Sequence, residues 1–271
     1  MSNALRISRG AFGRVALLDM DRSLVRHAHP HCHVLLKMGG DDTQFLVGDR
    51  LAPLTDTTAV LVNAWETHAY VHDPARRNAV ILALYIEPTW LHAFRRNWAA
   101  SGGPGFFAGA GGDVSLRIRA LARTLAEALT QHAPHEALLS ALMIAVIERF
   151  TPWRSVAPPP ASDAAPDWRI RRAVGRLIDG GGSIGVRDLA RESGLSRTHF
   201  FRLFGQSTGL TPHVFLNMLR VERAVAGVAA QEEPLAAIGS RLGFASPTQF
   251  SRFFRDHVSV SPRAFRSVLG G

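Results

Sequence analysis

Cysteine is almost missing from this chain: Cys32 stands alone among 271 residues. No intrachain disulfide can form, and a reducing compartment is expected. Lysine is equally scarce, since 30 of the 31 basic residues are arginine and Lys37 is the exception. Arginine suits bidentate contact with phosphates and guanine edges, although its use in both halves of the chain reads mostly as a compositional bias. Long apolar runs are absent as well. The longest, 137–147, is bounded by Glu136 and Glu148 and is too short to cross a bilayer. Residues 1–13 contain no apolar stretch resembling a signal peptide, so the cytoplasm is expected, with no membrane partner. The Gly/Ala-rich stretch 101–112 lacks the Lys-Ser/Thr of a phosphate-binding loop and reads as a connector, which excludes nucleotide binding there.

What is present is a globular composition, 46% hydrophobic and 20% charged, long enough for two modest domains. The net charge of +9 is unevenly spread. Residues 168–271 carry 15 arginines against 7 acidic residues, whereas 1–167 are close to neutral. A basic excess confined to one segment points to a polyanionic partner. No single continuous amphipathic helix accompanies it, so a lipid surface fits less well.

The predicted fold is α+β and multidomain. Residues 1–110 contain short apolar runs at 34–36, 45–47, 59–62 and 79–86, separated by turn signals such as Gly39-Gly40-Asp41-Asp42, which predicts a small barrel or sandwich. Residues 111–150 predict two helices for dimerisation or coupling. The second, 134–150, is apolar nearly all round and must be covered on most sides. Residues 151–167 read as a Pro/Ala linker, and 168–271 as an all-helical domain.

That last segment repeats itself. From Ser196 to Phe215 the pattern Ser…Phe…Arg…Phe…Thr-Pro…Phe recurs at a constant offset of 50 residues, ending on Ser261-Pro262…Phe265. Each copy predicts a short helix, a turn with Gly194 or Gly243, and a second helix capped by Ser196 or Ser246. This is a helix-turn-helix, twice over, joined by a long helix opened by Thr211-Pro212. In such a unit the second helix enters the major groove. If Phe200, Leu203 and Phe204 face the core, then Arg197, Thr198, Phe201 and Arg202 face outward. In the second copy Phe250, Phe253 and Phe254 are core, leaving Pro247, Thr248, Ser251, Arg252 and Arg255 as the candidate DNA contacts. Arginine can grip guanine, and Thr, Ser or Phe can touch bases, phosphates or a thymine methyl.

Residues 168–271 resemble the DNA-binding domain of AraC/XylS-type transcription regulators. The resemblance rests on Gly-Leu-Ser-x-x-x-Phe-x-Arg-x-Phe at 194–204, Leu-Arg-x-x-Arg-Ala at 219–224, Gly-Phe-x-x-x-x-x-Phe-Ser-Arg-x-Phe-Arg at 243–255, and Ser-Pro-x-x-Phe-Arg at 261–266. It implies a regulator of promoter DNA, activating more than repressing, with RNA polymerase as a partner and a homodimer as the working form. Two departures stand out. Gly239 replaces the usual Ala and should weaken its helix by about 1 kcal/mol. Ser259 replaces the usual Gly, so a left-handed cap forms there less easily.

In the front half, His27-Ala-His29-Pro-His31-Cys-His33 places four imidazoles on one face if the segment is a strand. With the later His68, the array is similar to the cupin metal motif, which makes 1–110 a cupin-like sensor domain. His33 stands where cupins carry Glu, and no Pro-x-Gly precedes His68. His27, His29, His33 and His68 are the candidate ligands of a divalent metal, and together with Trp65 and Tyr70 the candidate binders of a small-molecule effector. His31 falls outside the motif. The rival expectation is a cupin metalloenzyme, a dioxygenase or isomerase, with an appended nucleic-acid module. Nothing in the chain supplies the paired carboxylates of acid–base work, so no catalytic residue is assigned and a non-enzyme is expected.

Overall fold

The computed structural model describes residues 3–94, 105–151, 167–180 and 183–269. The 151–167 linker, save its two end residues, and the start of the 101–112 connector lie outside them. Contacts divide the chain into two compact units: 1–26, 30–159 and 267–271 in the first, 27–29 with 160–266 in the second.

The first unit is built on two antiparallel sheets. One has six strands, β1 (Asn3–Gly10), β2 (Gly13–Met20), β3 (Cys32–Gly40), β6 (Thr58–Val62), β8 (Ala79–Ile86) and β9 (Gly111–Asp113), in the order β1-β2-β8-β3-β6-β9. The other has three, β4 (Thr43–Val47), β5 (Arg50–Leu54) and β7 (His68–Val71), in the order β5-β4-β7. After β8 comes α1 (Pro88–Phe94), and after β9 come α2 (Leu116–Thr130) and α3 (Glu136–Phe150). Alternation sorts the faces of the large sheet. Val15 and Leu17, Cys32, Val34 and Leu36, Ala59 and Leu61, and Leu82, Leu84 and Ile86 share one core with α2 and α3. That packing explains the near-uniform apolarity of α3. Leu139, Leu142, Met143, Val146 and Ile147 are covered within their own unit by the sheet and by α2. The opposite face of the large sheet carries the other parity, including His33 and Tyr85.

The strand expected through the histidine run does not form. Only His33 lies on a strand, since β3 begins at Cys32, and His27 makes no more than an isolated bridge. Pro30 is the cause: it donates no hydrogen bond to a ladder and restricts the residue before it. His31 instead meets Glu87, Nε2 to Oε1 at 2.9 Å, and that contact holds the Glu87 carboxyl below its usual range.

The second unit is all helical beyond 167: α4 (Trp168–Asp179), α5 (Val186–Glu192), α6 (Arg197–Thr208), α7 (Pro212–Ala230), α8 (Leu235–Arg241), α9 (Pro247–Val258) and α10 (Pro262–Leu269). Asp167 caps α4 by accepting from Arg169 N at 2.9 Å, and Thr211 caps α7 by accepting from Val214 N at 3.3 Å. Proline stands at the first turn of α7 and α9, where its missing N–H costs nothing.

Candidate nucleic-acid interface

Each helix-turn-helix is assembled the same way from local rules. The turn after α5 puts Gly194 at φ +64°, and the turn after α8 puts Gly243 at φ +80°, a region that glycine enters freely. Ser196 then accepts from His199 N at 3.3 Å and Ser246 from Gln249 N at 3.2 Å, satisfying one free donor at each helix start. The Gln249 Oε1 accepts from Ala245 N at 3.2 Å, one residue beyond the N-cap N–H that a capping box would take. Phe200 and Phe204 are fully buried, with Phe204 edge-on to Phe215 at 5.6 Å; Phe254 meets Phe265 at 5.5 Å in the second copy. Aromatic knobs at equivalent positions therefore fix the roll of α6 and α9 and decide which side chains remain outside.

On α6, Arg197, Thr198 and Arg202 are exposed, and Phe201 is half-buried, with the Arg197 guanidinium 5.5 Å from its ring centroid. On α9, Pro247, Thr248 and Arg252 are exposed, whereas Ser251 and Arg255 are half-buried. The Arg255 Nε is buried and makes no hydrogen bond among the described residues, so this arginine is the least outward of the set. Arg202 bonds Gln206 at 3.3 Å, while Arg252 lies 3.8 Å from the Asp256 carboxylate.

The arginines of the Leu-Arg-x-x-Arg-Ala run on α7 serve the fold. Arg223 Nη2 donates to the Ile178 carbonyl at the end of α4, and Arg220 lies over the Phe244 ring at 5.4 Å. Burial lowers the Arg220 pKa, the sign expected of a desolvated cation.

The sensor candidates are distributed between the two units. His33 and His68 face each other in the first, ring centroids 5.5 Å apart, whereas His27 and His29, 5.8 Å apart, group with the second. The His68 Nδ1–H donates to the Glu66 carbonyl at 3.1 Å, which leaves Nε2 as the ring's acceptor nitrogen. Complete burial pushes its pKa down to about 4. Tyr70 is buried against Phe45 at 5.1 Å, and Trp65 sits on a turn at φ +68° with 37% of its surface exposed. Trp90 is core, edge-on to Phe12. Cys32 is buried, and desolvation pushes its thiol up to about 12, so it is no nucleophile.

One arrangement is invisible in the sequence. Arg14, Tyr85 and His33 stand in direct register on β2, β8 and β3. The Arg14 guanidinium lies 3.8 Å from the Tyr85 ring centroid, and Tyr85 stacks on His33 at 4.0 Å. No local signal marks this row, because strand pairing brings together residues far apart in the chain.

The chain's similarities agree with this geometry. Residues 189–267 match a family described as a helix-turn-helix domain. The chain is 29% identical over 86 residues to a probable transcriptional regulator, LumQ, of Photobacterium leiognathi, covering 32% of this chain and 35% of that protein. It is 28% identical over 89 residues to the Msm operon regulatory protein of Streptococcus mutans, covering 33% and 32%. Against the transcriptional activator RhaS of Escherichia coli it is 36% identical over 83 residues, covering 31% and 30%. The matches thus span about a third of these relatives' length. An apo form of a ToxT point variant from Vibrio cholerae has a similar fold, with a TM-score of 0.56 at 14% identity over 97% of this chain and 100% of that one. Wild-type ToxT bound to an unsaturated fatty acid gives 0.53 at 12% identity, covering 94% and 95%. The second unit is a tandem helix-turn-helix domain. In sequence it is similar to the matching segments of these transcriptional regulators.

Proposed function

We propose that this protein is a sequence-specific, ligand-responsive transcription regulator and not an enzyme. The observation that carries the reading is the pair α6 and α9: two helices rolled alike by buried phenylalanines, each leaving Thr and Arg exposed, within one compact unit of strongly basic sequence. The candidate contacts are Arg197, Thr198, Phe201 and Arg202 on α6, and Pro247, Thr248, Ser251, Arg252 and Arg255 on α9. Successive major grooves on one face of a promoter are the proposed target. The first unit is proposed to receive a small-molecule effector, whose differential binding shifts an equilibrium already present between two states of the regulator. The polar row Arg14–Tyr85–His33, with His68 opposite, supports a partly polar ligand. Activation with RNA polymerase and a homodimer complete the proposal, in the cytoplasm.

The test is a fluorescence-anisotropy titration of the full-length protein on the upstream region of its own operon, at several salt concentrations. Specific binding that weakens steeply with salt and outcompetes random DNA is expected. Equal affinity for random duplex at every salt concentration would end the proposal.

A further inference from the structure

Between α2, β3 and the turn before β6 lie charges which the regulator reading does not use. Arg119 and Arg123 stand one turn apart on α2 and line a cavity of about 30 Å³ together with Lys37, Thr55, Asp56 and Thr58. Like charges at this spacing oppose helix formation. Lys37 is already neutralised: its Nζ lies 2.6 Å from Asp42 and 3.3 Å from Asp56, and only 5% of its side chain is exposed. The two arginines have no such partner, since neither forms an ion pair among the described residues. The Arg119 Nε is buried and donates to nothing there. A buried guanidinium N–H without an acceptor is rare and calls for one. The Asp56 carboxylate does not supply it, being turned to Lys37.

We propose that this cavity binds a phosphate-type oxyanion, as the free ion or as the head group of a phosphate monoester. Its volume admits about one water-sized group, so one oxygen enters toward the Arg119 Nε. The remaining oxygens stay at the mouth, where the exposed Arg123 presents its fork. Val114, just before α2, borders the same cavity. The site is independent of the helix-turn-helix units and of the histidines.

The experiment uses the full-length protein with three probes: sodium phosphate, glycerol 3-phosphate, and sodium chloride at matched ionic strength. Thermal unfolding and ³¹P line broadening are the readouts. Both phosphates should raise Tm beyond chloride and show broadened ³¹P lines, and Arg119→Gln and Arg123→Gln should each weaken binding about tenfold. Tighter binding of the monoester identifies a head-group site, and tighter binding of phosphate a free-ion site; either upholds the proposal. No advantage over chloride, or undiminished binding by both variants, overturns it. Arg123 is exposed and its replacement helix-compatible, so Arg123→Gln decides the matter even if Arg119→Gln fails to fold.

Discussion

The two helix-turn-helix units follow one plan, yet they are finished differently. In the first, Ala190 lies on α5 where Gly239 lies on α8, Gly209 ends α6 where Ser259 ends α9, and Ser207 stands where His257 does. The first copy follows the rules of helix chemistry at each of these positions. The second departs from them, and the structure gives reasons. A Cβ at Gly239 would sit 2.9 Å from Phe250 Cβ and 3.0 Å from its Cγ, so glycine lets α8 press closer to α9. Ser259 holds φ +77°, nearly the +71° of Gly209, so the left-handed cap forms without glycine. A tandem repeat therefore preserves backbone shape more strictly than the residue that makes the shape easy. The units also differ in charge. The α6 face carries Arg197 where α9 has Pro247, and Arg202 neighbours Gln206 where Arg252 neighbours Asp256.

The charge difference leads to the largest expected effect. Arg202→Ala should weaken specific DNA binding by about 1–3 kcal/mol if the guanidinium reads a base. Arg252→Ala should cost less, because Asp256 already competes for that guanidinium. Anisotropy titrations of both variants test the order. A larger loss from Arg252→Ala would reverse the ranking of the two units as DNA readers.

The packing difference comes next. Gly239→Ala gains about 1 kcal/mol of helix propensity but drives a methyl into Phe250, where overpacking costs about 1–3 kcal/mol. A net loss of about 1 kcal/mol is expected in urea unfolding. Ala190→Gly in the first helix-turn-helix copy should also lose about 1 kcal/mol, for the opposite reason, propensity without relief of a clash. Stabilisation by Gly239→Ala would mean that α8 can back away from α9 at no cost.

Smaller still is the cap. Ser259→Gly should stabilise by about 0.5–1 kcal/mol, since a non-glycine residue in the left-handed region carries a steric penalty. Gly209→Ser should cost about as much. Equal Tm for wild type and Ser259→Gly would show that the buried serine recovers the penalty through contacts of its own.

Legibility follows the range of the interaction. The second unit is readable almost residue by residue, because caps, turns and the 3.6-residue period act within a few positions: Ser196 and Ser246 cap α6 and α9, and Thr211-Pro212 opens α7, as the sequence leads one to expect. In the first unit the apolar strands β3, β4, β6 and β8 declare themselves. By contrast β1, β5 and β7 stand at sheet edges with polar or alternating sequence and carry no such signal. The histidine run misleads because its period-two alternation suggests a strand that Pro30 forbids. The row Arg14–Tyr85–His33 and the cavity at Arg119 depend on strand order and on how α2 lies over the sheet, which no local pattern encodes.

The smallest expected effect separates the units by pH. His257 is buried on α9, its Nδ1–H donating to the Phe253 carbonyl at 2.8 Å and its ring 4.2 Å from the Phe253 ring. Burial lowers its pKa below the ordinary 6.5, against the opposing pull of that carbonyl and of Asp256. Because the folded state resists the proton that the unfolded chain accepts, the unfolded state binds more protons once the pH drops below about 6.5. Stability supplied by the neutral ring is thus full above that pH and declines as the pH falls toward the lowered folded value. Ser207 does not titrate, so the first helix-turn-helix copy has no counterpart at this position. Amide exchange compared at pH 7.5 and pH 5.5, corrected for intrinsic rates, should therefore show α8–α9 loosening relative to α5–α6, and His257→Gln should abolish the difference. If α5–α6 loosens equally, the two units open as one, and their differences in finish have no separate thermodynamic expression.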